Sequence, residues 1–172
     1  MTEHEPIETK NLDLSGNAPL PWSRPREHFA ANIFLPATLL GTTRPDGRPH
    51  AAFIGAVWLD GKIYFTSSLE TRKARNLAVN PACTIAMRLA SLDLVLEGEA
   101  VRVTDHETLE RVAAHIRAGG WPVQIMDDAL TAPYAAPSAG PPPWHLYCFS
   151  YHTAIGNAIA EPHGATRWRF AR

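Results

Sequence analysis

The sequence has few cysteines, few charged residues and no long hydrophobic run. Its two cysteines, Cys83 and Cys148, lie far apart without metal-site spacing, so we expect free thiols in a reducing compartment. No apolar run approaches the ~20 residues that cross a membrane, and the chain opens without a basic and then apolar leader. These absences predict a cytoplasmic protein with no membrane partner. A formal net charge of −1 argues against nucleic-acid binding.

Metal-binding patterns are also missing. The eight histidines form no His-x-x-x-His or His-Glu-x-x-His motif, and the cysteines form no Cys-x-x-Cys pair. We therefore predict no metal site. No nucleophile and base are paired in the manner of a catalytic dyad either, and no catalytic residue is assigned.

The chain does contain enough apolar sequence for one core, since 45% of its 172 residues are hydrophobic. Residues 1–22 are polar and aperiodic and are interpreted as an N-terminal arm; residues 23–172 are interpreted as one domain. Turns such as Pro45-Asp46-Gly47 separate β-forming runs. Strands are predicted at 38–44, 49–58, 63–65, 83–89, 92–104, 144–153 and 165–170, and helices at 23–35, 72–80 and 106–118, with one further helical turn at 125–130. Ser23 and Asp105 are the predicted N-caps of the first and third helices. Helical spacing predicts the inward faces, which are Ala74, Leu77 and Ala78 on the second helix and Thr108, Leu109, Val112, Ala113 and Ile116 on the third.

This pattern predicts a mainly β (α+β) fold, a small antiparallel barrel of six to seven strands with helices at its rim. Both faces of the 49–58 strand are largely apolar, because Ala51, Phe53 and Val57 alternate with Ala52 and Ile54. An outer face of this kind needs a cover, and a symmetric partner is the commonest one. We therefore predict a homodimer.

The start of the 72–80 helix carries an unusual charge pattern. Arg72 and Lys73 lie in its first turn, where the helix dipole disfavours cations. Hydroxyl groups and free backbone N–H groups surround them, which favours an anion. We call this set the phosphate site; it comprises Thr66, Ser67, Ser68, Thr71, Arg72 and Lys73. The alternative is a solvated helix start whose cations contact Glu70 or water.

Four segments resemble the pyridoxamine 5′-phosphate oxidase-like superfamily of split β-barrel proteins, which bind flavins and deazaflavins. They are Leu40-Gly-Thr-Thr-Arg-Pro-Asp-Gly-Arg-Pro-His50, Val57-Trp-Leu-Asp-Gly-Lys-Ile-Tyr-Phe-Thr66, Thr71-Arg-Lys-Ala-Arg-Asn-Leu-Ala-Val-Asn-Pro81 and Ala165-Thr-Arg-Trp-Arg-Phe170. The last two segments are closer to the flavin- and deazaflavin-dependent reductase branch. His50 and Gly55 stand where the namesake oxidase has basic residues, so pyridoxamine phosphate oxidation is not expected.

The resemblance implies a homodimer with cofactor sites at the subunit seam. Phe65 and Thr66 would lie along the ring system, and Thr71, Arg72 and Lys73 would hold the phosphate. The predicted cofactor-binding set also includes Ser67, Ser68, His50 and Asn76. The expected cofactor is FMN, and the deazaflavin coenzyme F420 is the alternative. The tail of F420 is longer and anionic, and it would recruit further cations such as Arg44, Arg48 or Arg75. Haem is a separate alternative, since haem-degrading relatives share this barrel.

The predicted function is hydride transfer between this cofactor and a small organic substrate. A non-catalytic flavin carrier or sensor is the alternative. Trp121 and Trp144 flank a proline-rich segment, and two interpretations are open for them: an aromatic pocket over the ring, or an anchor for the loop.

Overall fold

A computed structural model describes residues 4–172 of the protein. The strands in this part of the chain are β1 (Glu8–Asn11), β2 (Thr38–Thr43), β3 (Pro49–Ile54), β4 (Ala56–Leu59), β5 (Lys62–Ser67), β6 (Ala82–Arg88), β7 (Leu92–Arg102), β8 (Gln124–Met126), β9 (Ala129–Thr131), β10 (His145–Ala158) and β11 (Ala165–Arg169). The helices are α1 (Ser23–Ala31), α2 (Arg72–Val79) and α3 (His106–Ala118). Nine strands form one sheet, and β8 and β9 form a separate hairpin.

The main sheet is antiparallel and runs in the order β1-β11-β10-β7-β6-β2-β3, while β5 pairs with both β10 and β4. The predicted strand 49–58 is wrong as a single element, because it breaks at Gly55 into β3, which pairs with β2, and β4, which pairs with β5. The ladder with β2 and the ladder with β5 lie in separate branches of the sheet, so the backbone leaves the first ladder at Gly55 before it joins the second. The sheet is therefore not closed, and the predicted split-barrel class is confirmed with more strands than expected.

Strand β10 is the longest element and connects the two halves of the sheet. It pairs with β7 along most of its length, with β5 through residues 145–149 and with β11 through residues 153–157. The register to β7 shifts between Tyr151 and Thr153, opposite Gly98. A Cβ atom on Gly98 would lie 2.1 Å from the Ser150 carbonyl oxygen. Glycine is thus needed where the bulged strand presses against β7.

Two apolar clusters lie on opposite faces of the β5–β10 pair, as the two-residue period of a strand requires. Ile63, Phe65 and Phe149 belong to one cluster, whereas Tyr64 and Leu146 belong to the other, which α3 covers. Helix α3 begins as predicted, with the Asp105 side chain accepting a hydrogen bond of 2.8 Å from the Thr108 backbone. Its predicted apolar positions, Leu109, Val112, Ala113 and Ile116, are buried. Both cysteines are buried free thiols, as expected.

Three local predictions are wrong. Helix α1 is preceded by Trp22 rather than capped by Ser23, and it ends at Ala31 rather than near residue 35. The expected helical turn at 125–130 is the β8–β9 hairpin, whose turn residue Asp127 has a left-handed φ of 56°. Among residues 4–172, no helix is long and apolar enough to cross a membrane.

The segment before residue 23 lies against the sheet. Strand β1 pairs with β11, and Leu20 and Trp22 are buried in the main core. The division into an arm over 1–22 and a domain over 23–172 stays a prediction, and residues 1–3 lie outside the described chain.

Candidate cofactor-binding site

The phosphate site forms where β5 ends and α2 begins. Strand β5 ends at Ser67, and Thr71 is the N-cap of α2. The Thr71 hydroxyl accepts a hydrogen bond from the Ala74 backbone at 3.2 Å, donates to the Ser68 carbonyl at 3.0 Å and lies 2.7 Å from the Ser67 hydroxyl. These contacts fix the turn between strand and helix, and they hold the hydroxyl groups beside the first helical N–H groups.

We expect Thr71→Ala to lower the free energy of unfolding by about 1 kcal/mol, because it removes the N-cap acceptor of α2. Thr71→Ser keeps that oxygen and is the matched control, with stability close to wild type. Urea unfolding followed by circular dichroism measures both variants. An unchanged midpoint for Thr71→Ala would show that the cap contributes nothing.

The two cations of the phosphate site, Arg72 and Lys73, have no counter-ion among residues 4–172. Arg72 is exposed and Lys73 is half-buried, and the described residues offer neither of them an ion pair within 4.0 Å. Burial lowers the pKa of the Lys73 ammonium. Glu70 instead pairs with Arg75 at 2.9 Å. The alternative in which Glu70 neutralises Arg72 or Lys73 is therefore not realised.

Helix α2 buries a different face from the predicted one. Ala74 and Leu77 are buried as expected, but Ala78 is exposed and Asn76 is buried in its place, with 1% of its surface exposed. The Asn76 amide donates a hydrogen bond of 2.9 Å to the Thr42 hydroxyl on β2, which compensates in part for the burial of a polar side chain, whereas its Oδ1 atom has no hydrogen-bond partner among the described residues. The polar contact to β2 rotates the helix away from a purely apolar face.

His50 connects β3 to the same group. It is paired with Thr42 across the β2–β3 ladder, and its Nδ1 atom lies 3.5 Å from the Thr42 hydroxyl. Burial, followed by the positive charges of Arg44, Lys73 and Arg72, lowers the pKa of His50. This shift favours the neutral imidazole. Thr42 thus joins His50 on β3 to Asn76 in α2.

A cavity of about 460 Å³ opens beside the phosphate site. The predicted residues that line it are Phe65, Thr66, Ser67, Ser68, Thr71 and Lys73. Arg72, His50 and Asn76 lie around the start of α2 but do not line the cavity. The volume is within the range of about 300–1,000 Å³ that small-molecule and cofactor sites occupy.

The opposite wall of the cavity comes from the segment between α3 and β10. Trp121 and Trp144 line it with ring centroids 5.7 Å apart. The Trp121 indole donates to the Tyr134 carbonyl at 2.8 Å, and the Trp144 indole donates to the Gly140 carbonyl at 3.2 Å. Both open interpretations of this pair hold, because the indoles anchor the loop and line the cavity with their rings.

Several lining residues were missed from the sequence, among them Phe34, Phe53 and Tyr134. Phe53 and Tyr134 are 72% and 58% exposed. Both line the same cavity with Phe34, Trp121 and Trp144, and a contiguous exposed patch of aromatic side chains marks a ligand or partner surface. The sequence gives little indication that these two residues line a cavity. Phe53 occupies an ordinary position in an alternating strand, and Tyr134 lies in an irregular segment.

The lining of the cavity is of two chemical kinds. Hydroxyls, helical N–H groups and Lys73 lie around the start of α2, which we call the α2 end, and aromatic and small apolar side chains form the remainder, which we call the aromatic end. Trp144 joins the two, because it precedes His145, which is paired with Ser67. This arrangement suits a molecule with an anionic tail and a planar apolar body. Within residues 4–172, no group of three or more His, Cys, Asp or Glu side chains is arranged to hold a metal ion.

Similar structures support the split-barrel fold. A heme binding protein from Mycobacterium smegmatis is 20% identical, with a TM-score of 0.57 over 80% of this chain and 54% of that one. A protein related to general stress protein 26 from Clostridium acetobutylicum is 14% identical, with a TM-score of 0.58 over 86% of this chain and 92% of that one. At these identities the likeness concerns the fold alone.

Sequence comparison gives the family. A pyridoxine/pyridoxamine 5′-phosphate oxidase from Bacteroides thetaiotaomicron is 35% identical over 89 residues, which cover 49% of this chain and 42% of that protein. The chain thus matches less than half the length of this curated relative. The sequence profile of pyridoxamine 5′-phosphate oxidase matches residues 34–140, which include the phosphate site and most of the cavity. The predicted resemblance is confirmed, and the chain belongs to the pyridoxamine 5′-phosphate oxidase family.

Proposed function

We propose that the protein binds FMN in this cavity and transfers a hydride between the flavin and a small organic substrate. One observation supports this most directly: Arg72 and Lys73, which have no ion pair among the described residues, lie at the start of α2 beside a cavity with aromatic walls. Membership of an oxidase family points to a flavin-type cofactor.

The residues present fit this cofactor. Arg72, Lys73 and the Thr71 hydroxyl would hold the phosphate, and Phe65 and Thr66 would lie along the ring. When bound, the flavin supplies a ring that accepts or releases a hydride. The chain's own side chains would bind and orient the ring and exclude water. Hydride transfer of this kind needs no side chain that donates or accepts a proton.

The ion pairs around the site favour FMN over F420. A longer anionic tail would need further cations, and Arg44, Arg48 and Arg75 are the nearby ones. Arg48 already pairs with Asp46 at 2.7 Å and Arg75 with Glu70 at 2.9 Å. Only Arg44 of these three has no ion pair among the described residues. One short phosphate tail therefore matches the available charge better.

We further propose a homodimer whose seam covers β3. The exposed positions of β3 alternate along one face, and Phe53 is the largest apolar side chain on it. The same ring lines the mouth of the cavity, so a second copy that covered β3 would also shield the bound flavin from water.

Phe53→Asp should convert the dimer to a monomer, because a desolvated carboxylate without a partner would lie in the seam. Light scattering after size-exclusion chromatography measures the mass. Val101→Asp is the matched control, an exposed valine on β7 that is distant from β3 in the sheet. A monomeric wild-type protein at micromolar concentration would refute the proposed dimer.

Titration with FMN and with F420 tests the cofactor. We expect FMN to raise the melting temperature and to lose fluorescence on binding, and F420 to bind more weakly. Turnover with reduced FMN and a panel of acceptors then tests the enzyme. Tight FMN binding without turnover would favour the carrier or sensor, and the absence of binding by either ring would refute the cofactor proposal.

A further inference from the structure

The cavity beside the phosphate site has almost no charge outside the α2 end. Lys73 is the one ionisable cation among its lining residues, and no Asp or Glu side chain lines it. The rest of the lining comes from the loop before β2, from β3, from α3 and from the 119–144 segment; its bulky side chains include Phe34, Phe53, Ile116, Trp121, Tyr134 and Trp144. All six are uncharged, and five of them are aromatic.

The indole and phenol groups of these walls are already hydrogen-bonded within the protein. The indole N–H groups of Trp121 and Trp144 donate to loop carbonyls, and the Tyr134 hydroxyl donates to the Gly120 carbonyl at 3.2 Å. A ligand therefore meets the rings of these residues rather than free donors. Ser138 offers a hydroxyl, and three alanines (Ala135, Ala136 and Ala139) complete the loop wall. This end cannot replace the water that an anion loses on entry.

A phosphate ester would need a second group of cations. Arg72 and Lys73 lie together at the start of α2 and serve one anion, the flavin phosphate of the proposed function. Gly55 lines the cavity without a side chain, and His50 does not line it. The described residues supply no other cation at the aromatic end. The substrate end thus disfavours charge of either sign.

We propose that the substrate of this site is a neutral, planar aromatic molecule and not a phosphate ester, held between the flavin ring and the wall formed by Trp121, Tyr134 and Trp144. This inference rests on the proposed function and names its substrate class. It separates this chain from its curated relative, whose name specifies phosphorylated pyridoxine and pyridoxamine.

A pair of probes that differ by one phosphate tests the inference. The protein is first saturated with FMN, and 1-naphthol or 1-naphthyl phosphate is then titrated by calorimetry. We expect 1-naphthol to bind at least 10-fold more tightly than its phosphate ester, since the ester must desolvate a dianion without a counter-ion. Failure of FMN to bind in the first step would refute the proposed function instead, so the two failures are distinguishable.

Two variants make the test specific. Trp121→Ala should weaken 1-naphthol binding by about 5-fold or more, and Trp121→Phe should restore most of it, because the aromatic face rather than the N–H makes the contact. Ser138→Lys, measured after saturation with FMN, should narrow the preference for 1-naphthol over its phosphate ester, because it adds the missing cation to the cavity wall. A wild-type preference for 1-naphthyl phosphate would overturn the inference, as would equal binding of 1-naphthol by wild type and Trp121→Ala.

Discussion

Removal of both cations from the phosphate site should weaken FMN binding by at least 100-fold. In the free protein, the described residues give neither Arg72 nor Lys73 an ion pair, and both lie at the positive end of α2. A phosphate at that position gains a charge-assisted hydrogen bond from each, worth roughly 1.5–3 kcal/mol or about 10- to 150-fold in Kd. Arg72→Ala alone should cost more than Lys73→Ala if the guanidinium contacts two oxygens at once.

The stability of the cofactor-free protein should not fall in this double variant. Alanine removes unfavourable charge from the first turn of α2, so the unfolding midpoint should stay constant or rise slightly. Isothermal titration of the cofactor-free protein measures the Kd. Arg88→Ala is the control, because Arg88 is paired with Asp93 at 2.7 Å on the β6–β7 ladder and does not line the cavity. FMN affinity in the double variant equal to that of wild type would show that the phosphate lies elsewhere.

Gly98→Val should cause the largest loss of stability of any single change considered, about 3 kcal/mol or more. A Cβ atom at this position would lie 2.1 Å from the Ser150 carbonyl oxygen and 2.8 Å from the Tyr151 Cα atom. Both neighbours are backbone atoms of β10 and cannot rotate away as a side chain can. Overpacking of a core typically costs about 1–3 kcal/mol, and displacement of a bulged strand belongs at the upper end. Urea unfolding at equilibrium measures the effect.

A second glycine provides the matched control. Gly55 also lies between β-strands, but a Cβ atom there would have no heavy atom within 4 Å. Gly55→Ala should therefore change the free energy of unfolding by no more than about 0.5 kcal/mol. If Gly98→Val unfolded at the same urea concentration as Gly55→Ala, β10 would be free to move away from β7, and the bulge would not be a fixed feature.

The phosphate site was predictable because its geometry is local. Thr71, Arg72 and Lys73 are adjacent in sequence, and a helix that is capped by Thr71 and ends before Pro81 brings them together without help from the rest of the fold. The face of α2 was predicted less well, because apolar spacing favours Ala78 whereas the structure buries Asn76. The Thr42 hydroxyl that pairs with Asn76 lies on another strand, and the helical period alone contains no information about it.

The aromatic wall was harder to predict for the same reason. Trp121 and Trp144 are separated by an irregular segment, and they approach each other only after β10 has paired with β5. The break at Gly55 was missed because 49–58 alternates as one strand would, and only the two different partners of β3 and β4 reveal it. Family resemblance supplied the split-barrel class, while composition and period alone predicted only a small barrel.

The position of β10 in the chain has a consequence for biosynthesis. Strand β5 and helix α2 leave the ribosome well before residues 145–149, the segment that pairs with β5. Until then β5 presents an unpaired edge, which other chains can join. The cavity also lacks Trp144 and the wall that β10 supports. A nascent chain therefore cannot complete the cavity until residues 144–149 have emerged, and we expect a chaperone that protects it to act on the exposed β5 edge in that interval.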